Sequence, residues 1–565
     1  MVIYAQPVIV GLVFQWLKIL AEQQVSRDVK ILIIDEQPLA QNYLRFALEK
    51  LGYSQVQFTE RAQIALNWCK DTQYDLIICA FNLHTGKDGY QFYEEIKVRR
   101  IQGYSTGFIF ISAETDPSLV YSVVELQPDE FLAKPYTMRD LQLRIERVLK
   151  RKEQLRPIHA WMDVGRADKA LQQLDEMLSQ GEYPKLVPLL LRTKGDLLLE
   201  IGDTDKALGY FQSVLAVQKF GWAQIGEVRC LLAQNNYRQA EQQLAQLELK
   251  ADTRLFALDQ KAELEFHRKS FEEAQQSLQQ AAALAPRNLY RQQKLMNLSR
   301  LNHDYERQYR TARDMVKFAR YSVFEQPDLY LNLARACIDY AASIDEDGET
   351  NKLSKQATDA LTNLRSNFPD AETLDQQAVI QARLYYLRDQ KEKAVKLLEK
   401  MEPVPEVLRG LEDALDRAKA FHEIGMTQAS KAWFDKIVTH LTNNNAEQNP
   451  DQFLTTYLQQ ERQERAELST APRELNNIAV MHYQHGNHQA ALAAFQHAFR
   501  LLPKNAGIAL NLLQSVLSAP LGTIDPVSRK KLLQATLNTI RQGKLHPEQS
   551  RRFEQLKLKH ATEIR

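Results

Sequence analysis

The sequence predicts a multidomain chain: an N-terminal α/β domain of the (βα)5 type followed by an all-α repeat solenoid. Three observations carry this prediction. From about Lys30 to Lys150 short apolar runs alternate with helical stretches, the pattern of βαβ units on a parallel sheet. From about Arg151 the pattern is helical throughout, with Ala recurring behind a turn and a large apolar residue four positions later. The 565 residues exceed what one hydrophobic core can organise, and 20 Gly with 19 Pro are few for a turn-rich β protein. The divisions expected are an N-terminal extension (1–27), the α/β domain (28–150), helical repeats (151–440), a polar insertion with a charged helix (441–472), and a final repeat with capping helices (473–565).

Charge and cysteine content narrow the function classes. Lys and Arg number 72 against 71 Asp and Glu, a formal net charge of +1. Residues 28–150 carry 14 basic and 17 acidic groups, and the remaining imbalance leaves only +3 on the 415 residues of the repeats. No excess of positive charge exists to drive binding to nucleic acid or an anionic membrane. Cys69, Cys79, Cys230 and Cys337 lie far apart without a CxxC pair, which argues against a disulfide framework or a zinc site and fits a cytoplasmic protein. The apolar run Val8–Leu20 is shorter than the about 20 residues a span requires and lacks a basic flank, so it is expected either to dock as a short helix or to be an upstream start that never orders, with a surface membrane anchor as the lesser alternative.

In the α/β domain, strands are expected at Ile31–Ile34, Gln55–Phe58, Leu76–Cys79, Phe108–Ser112 and Glu130–Leu132. Helices are expected between them at Pro38–Leu51, Glu60–Lys70, Gly89–Arg100 and Pro117–Leu126, with a last helix at Met138–Lys150. Ligands of doubly wound sheets bind outside the carboxyl ends of the strands. Strand one ends in Asp35-Glu36, strand four in Ser112-Ala113, and strand five carries Phe131 and then Lys134-Pro135.

Those strand ends resemble the receiver domain of bacterial response regulators, the CheY-like flavodoxin fold. The resemblance implies a Mg²⁺ site built from Asp35, Glu36 and the backbone carbonyl of Asn82, with Ser112 and Lys134 contacting a phosphoryl group and Phe131 as the switch aromatic. It also implies a histidine kinase or phosphorelay protein as partner of this domain. The segment DLIICAFNLHTGKDG (Asp75–Gly89) is similar to strand three of receivers joined to helical-repeat outputs, but Ala80 stands where the family has its phosphoacceptor aspartate. A methyl group offers no oxygen to phosphorylate or to bind Mg²⁺. Asp75 and Asp88 sit too far from the ligand edge to substitute. Either a naturally degenerate receiver or a deliberate acceptor-null substitution fits, and the intact Asp35, Glu36, Ser112 and Lys134 favour recent loss or engineering over long drift.

The repeats resemble tetratricopeptide (TPR) units. Ala170, Ala207, Ala240, Ala274 and Ala491 are each followed at i+4 by Leu174, Phe211, Leu244, Leu278 and Phe495, and Ala207, Ala240 and Ala274 are 33 and 34 residues apart. A period of about 34 is the one this repeat shows, and nine or ten units are expected. The polar runs Ile344–Asn351 and Thr442–Pro450 are expected as surface loops, the second followed by a charged helix over Asp451–Leu468. His482, His485 and His488 lack a completing carboxylate or cysteine and are read as a solvated turn, and Lys150–Lys152 as a solvated helix terminus. With no catalytic constellation, the chain is expected not to be an enzyme. It reads as a two-component response regulator whose repeats bind a partner protein in a concave groove, the alternative being a phosphorylation-independent pseudo-receiver scaffold.

Overall fold

The computed structural model describes residues 28–561 apart from 85, 114–116, 345–346, 402–407, 409, 444–450, 467–471, 504, 520–523 and 544. The expected extension 1–27, with Val8–Leu20, lies outside the described residues. Two compact units are present. One holds the chain through Leu264 with Gln280–Arg287 and Ala319–Phe324, and the other holds Glu265–Gln279, Asn288–Phe318 and Glu325 onward.

The first unit begins with five parallel strands, β1 (Ile31–Ile34), β2 (Val56–Thr59), β3 (Leu76–Ala80), β4 (Gly107–Ser112) and β5 (Glu130–Ala133), in the order β2-β1-β3-β4-β5. Helices α1 (Pro38–Lys50), α2 (Ala62–Asp71), α3 (Gly89–Val98), α4 (Pro117–Leu126) and α5 (Met138–Asp163) connect and cover them. Strands β1, β3 and β4 are buried along their whole length, which is why they read as continuous apolar runs rather than alternating ones. Ile31, Ile33, Ile78 and Ile111 pack with Leu44, Leu48, Leu141 and Ile145 on one face. Leu32, Ile34, Ile77 and Phe110 pack with Ala65, Leu66, Phe92 and Ile96 on the other.

Helix α5 departs from expectation. It does not end near Lys150 but runs on to Asp163, 26 residues in all, through Pro157. Proline removes one helical donor, yet the far half is tied to the sheet domain on both sides of it. Arg151 and Lys152 pair with Asp129 at 3.1 and 3.0 Å, so the expectation of a solvated basic terminus is corrected: Asp129 neutralises both cations. The Lys152 ammonium also donates to the Tyr104 carbonyl at 2.9 Å, and the Tyr104 amide donates to Asp163 at 2.8 Å.

His159, one turn before that end, is buried and stacks on Tyr104 with ring centroids 6.2 Å apart. Its Nδ1 finds no hydrogen-bond partner among the described residues. Burial, then the Lys152 charge, lowers its pKa from 6.5 to about 4. The unfolded chain therefore binds more protons than the native one in that window, and stability is lost as pH falls from 6.5 towards 4, by up to about 3 kcal/mol. His159→Phe should flatten this limb of the melting temperature against pH and leave stability at pH 8 within about 1 kcal/mol; an unchanged acid limb would exclude His159 as its source.

The repeats of this unit are α6 (Ala167–Gln180), α7 (Val187–Ile201), α8 (Thr204–Val217), α9 (Gly221–Ala233), α10 (Tyr237–Leu247) and most of α11 (Arg254–His267). The small residues of the sequence pattern sit at helix crossings: Ala170, Ala207 and Ala240 are fully buried. Phe211 fills the gap between α7 and α9 so closely that a Cβ at Gly226 would meet its ring at 2.4 Å and one at Gly195 at 2.7 Å. Gly202 ends α7 in the left-handed conformation at φ 81°, where a side chain is strained. Ala207→Leu should overpack this layer at a cost of about 1–3 kcal/mol, and unchanged thermal melting would sink the packing assignment.

The second unit contains most of α12 (Phe271–Leu284), α13 (Leu289–Leu301), α14 (Tyr305–Ala319), α15 (Pro327–Ser343), α16 (Asp347–Asn367), α17 (Leu374–Leu387), α18 (Lys391–Leu398), α19 (Leu411–Glu423) and α20 (Thr427–Asn443). It continues through α21 (Gln452–Ala466), α22 (Pro472–Gln484), α23 (His488–Leu501), α24 (Ala506–Ser518), α25 (Pro526–Gln542) and α26 (Pro547–Lys559). The pairs α15–α16, α17–α18, α19–α20, α22–α23 and α24–α25 pack as neighbours. The expected loop Ile344–Asn351 is corrected, because α16 already begins at Asp347. Its polar start is the first turn of a helix anchored by fully buried Leu353 and Ala357. Of Thr442–Pro450, Thr442 and Asn443 end α20 and the remainder lies outside the described residues. Among the described residues no helix is long and apolar enough to cross a membrane.

Candidate functional site

The register of the parallel strands assembles the site. Ile34 pairs with Cys79, so Asp35 follows β1 beside Ala80, the last residue of β3. Ala80 pairs with Ile111, placing Ser112 next on the neighbouring strand, and Ser112 pairs with Ala133, which precedes Lys134. Asp35, Ala80, Ser112 and Lys134 thus line the carboxyl edge across the β1–β3 switch point, where doubly wound sheets take their ligands.

Asp35 is buried and accepts the Lys134 ammonium at 3.2 Å, while its other oxygen accepts the Gln37 amide at 2.9 Å. The Lys134-Pro135 bond is cis, and the Lys134 amide donates to the Ser112 carbonyl at 2.7 Å. Ser112 is buried at the end of β4. Phe131 is half-buried beside Phe110. Asn82 is half-buried two residues past Ala80.

Glu36 is brought to a different neighbour. Its carboxylate accepts the His84 amide at 2.6 Å and also meets the His84 ring. Burial acts to raise its pKa, but the His84 hydrogen bonds and charge outweigh it and hold the carboxyl below its ordinary value. His84 was not singled out by the sequence reading; an exposed loop histidine carries no signal of its partner 48 positions earlier.

The donor set does not suit Mg²⁺ in this chain. Receiver domains take that ion at this edge, but here the middle position is the buried Ala80 methyl, Asp35 is engaged by Lys134, and Glu36 by His84. Among the described residues no cluster of three or more His, Cys, Asp or Glu is arranged to hold a metal ion. His482, His485 and His488 are included in that result.

The loop after Ala80 is held in a second way that sequence reasoning missed. Asp88 caps α3 by accepting the Gln91 amide at 2.8 Å, and its other oxygen accepts Arg287 at 2.6 Å, from the repeats 199 positions away. The Arg287 guanidinium also lies over the Tyr90 and Phe81 rings at 5.0 and 5.7 Å. Gln91 donates to the Arg320 carbonyl at 2.7 Å, and Tyr121 of α4 packs on Leu255, Leu258, Ala281 and Ala285. Burial and then the Asp88 charge push the Glu94 carboxyl up to about 7, against Arg287 and Lys87. A Cβ at Gly89 would fall 2.1 Å from the Ala80 carbonyl oxygen, so this close approach requires glycine.

A five-stranded parallel sheet with this edge, joined to an array of paired helices, defines a receiver-type module carried on a helical-repeat protein. Residues 31–146 match the response regulator receiver domain and residues 198–264 the tetratricopeptide repeat. The chain therefore carries a receiver domain of the bacterial response regulators at its N-terminal end, followed by TPR units.

Among its relatives, the transcriptional activator protein IrlR of Burkholderia pseudomallei is 29% identical over 175 residues, 30% of this chain and 73% of that protein. A probable chemotaxis protein CheY of Rhizobium etli is 27% identical over 124 residues, 22% of this chain and 95% of that protein. Among solved structures, Vibrio cholerae CheY4 is 21% identical with a TM-score of 0.20, covering 21% of this chain and 98% of its own. The receiver domain of the Pseudomonas aeruginosa sensor histidine kinase PA1611, solved with a magnesium ion in its active-site cleft, is 24% identical with a TM-score of 0.20, covering 22% and 98%.

Proposed function

We propose that this protein is a cytoplasmic, non-enzymatic two-component response regulator whose TPR surface binds a partner protein, and that the form with Ala80 does not accept phosphate. The single observation carrying this reading is the buried methyl of Ala80 inside an edge that otherwise keeps Asp35, Ser112 and Lys134 side by side. In this reading Ser112 and Lys134 would hold phosphoryl oxygens on an aspartate at position 80, and a histidine kinase or phosphorelay protein would dock at the receiver. Phe131 would report the change as the switch aromatic.

One observation favours the second reading, a phosphorylation-independent scaffold: with Ala80 at the acceptor position, Arg287 ties Asp88 to the repeats. The two readings part in a partner-retention assay on the full chain, native and Ala80→Asp, each with and without acetyl phosphate. The regulator reading expects retention to change with phosphodonor in Ala80→Asp alone. The scaffold reading expects no change in either.

A further inference from the structure

The groove expected to receive a partner already holds a helix of this chain. Helix α21 is not paired into a repeat; its contacts come from α11, α13 and α19, the first helices of their pairs, and from α20, whose Asp435 pairs with Arg462. Phe453 stacks on Phe266 with centroids 4.1 Å apart, and the Lys294 ammonium lies 5.3 Å from the Phe453 ring. Asn297 donates to Asp451 at 2.8 Å, and Gln460 to the Leu301 carbonyl at 3.1 Å. The Tyr457 hydroxyl accepts Lys419 at 2.7 Å, and Glu461 pairs with the same Lys419 at 3.3 Å and with Arg465 at 2.7 Å. Glu464 meets His303 at 3.0 Å, and Arg465 meets His422 at 3.1 Å.

The buried side of α21 carries Phe453, Tyr457, Glu461 and Arg465 at four-residue spacing, with Leu458 buried beside them, and its Tyr457 and Glu461 face cationic groove residues Arg300 and Lys419. Ions buried in such a contact make it specific in register while contributing little net stability, because desolvation offsets their attraction. A small cavity of about 60 Å³ remains beside Glu461 and Arg465, bounded by Arg383 and Tyr386. A helix seated by Phe453, Tyr457 and Leu458 in its first half and by charge matching at Glu461 and Arg465 in its second suits replacement by a helix of the same chemistry.

We infer that α21 is an intramolecular ligand of the TPR groove, and that the groove takes from the partner protein an amphipathic helix with an aromatic–aromatic–acid–base series at four-residue spacing. This inference rests on the reading that the repeats bind a partner and adds what the partner must present. Tethering gives α21 an effective concentration of about mM, so a competing helix must be local, abundant or better matched.

The test uses a labelled peptide of residues 451–466 as probe and the full-length chain as receptor. The Tyr457→Ala, Glu461→Ala double variant should vacate the groove and bind the peptide at least tenfold more tightly than the native chain, while a peptide carrying the same two changes should not bind. A second measurement needs no variant: in native hydrogen exchange, α21 amides should exchange at least tenfold faster than those of α13 and α19. A cooperatively melting double variant that ignores the peptide, or α21 amides that exchange only with those of α13 and α19, would overturn the inference and make α21 a fixed strut. Partner retention by such a chain would still support the adaptor reading through another surface. Concentration-dependent dimerisation of the native chain through exchanged α21 would also overturn it, assigning the groove to a second copy.

Discussion

Replacing Arg383 with methionine costs the second unit about 3–5 kcal/mol of stability, the loss expected when one partner of a buried ion network is removed and its counter-charges are stranded. Arg383 is buried and reaches three carboxylates at once, Asp339 at 2.8 Å, Asp416 at 2.8 Å and Glu423 at 2.6 Å. Methionine keeps much of the volume, so the loss is electrostatic rather than a cavity. Lys419 and Arg335 remain near Asp339 and Asp416 but leave Glu423 without its bidentate guanidinium. Adding Asp416→Leu and Glu423→Leu should recover much of the deficit, since buried networks replaced by apolar side chains of similar size are often neutral.

The network also fixes the acid response of this unit. Burial acts to raise Asp339 and Glu461, but Lys419 with Arg383 at Asp339, and Lys419 with Arg465 at Glu461, hold both carboxyls well below their ordinary values of 3.8 and 4.5. Their contribution is complete above about pH 4.5 and is lost as pH falls below it, when the unfolded chain takes up protons that the native chain refuses. Denaturant titration of native and Arg383→Met chains at pH 7 and pH 4 measures both effects. A difference under 1 kcal/mol at pH 7 would mean that these ions are hydrated rather than buried.

The second large effect concerns Ala80→Asp in the absence of phosphate. The new carboxylate would enter a buried position beside Asp35, itself nearly inaccessible. Like charges at such spacing, with the Lys134 ammonium to compensate in part, should lower stability by about 1–3 kcal/mol in a chelator. Mg²⁺ should reverse this, because an ion bound only by the folded state contributes roughly 2.7 kcal/mol at a hundredfold excess over its dissociation constant. The native chain should melt at the same temperature with Mg²⁺ or chelator. A variant indifferent to Mg²⁺ would show a decayed pocket and a true pseudo-receiver.

The (βα)5 order was legible because buried parallel strands read as uninterrupted apolar runs, ILII and FIFIS, bounded by helical periods. The repeat register was legible because a helix crossing admits only small side chains, and Ala207, Ala240 and Ala274 mark it at near-constant spacing. What escaped notice joined distant residues. Nothing near Arg287 marks it as the partner of Asp88, and the length of α5 depends on Asp129, Tyr104 and Asp163 together rather than on local propensity. The acidic and basic letters of QFLTTYLQQERQERA read only as a charged helix, with no sign of which side is buried. Only the tertiary structure shows that Glu461 and Arg465 face inward and that Arg462, paired with Asp435, is the outward one.

A receiver that keeps its phosphoryl-binding edge without the acceptor should take up phosphate only once an aspartate stands at position 80. Intact-mass measurement after incubation with acetyl phosphate and Mg²⁺, on the native chain and Ala80→Asp side by side, tests it most directly. No added mass is expected on the native chain, and one acid-labile phosphoryl group on the variant, located at position 80. An acid-labile phosphoryl group on the native chain, at Asp35, Asp75 or Asp88, would contradict it.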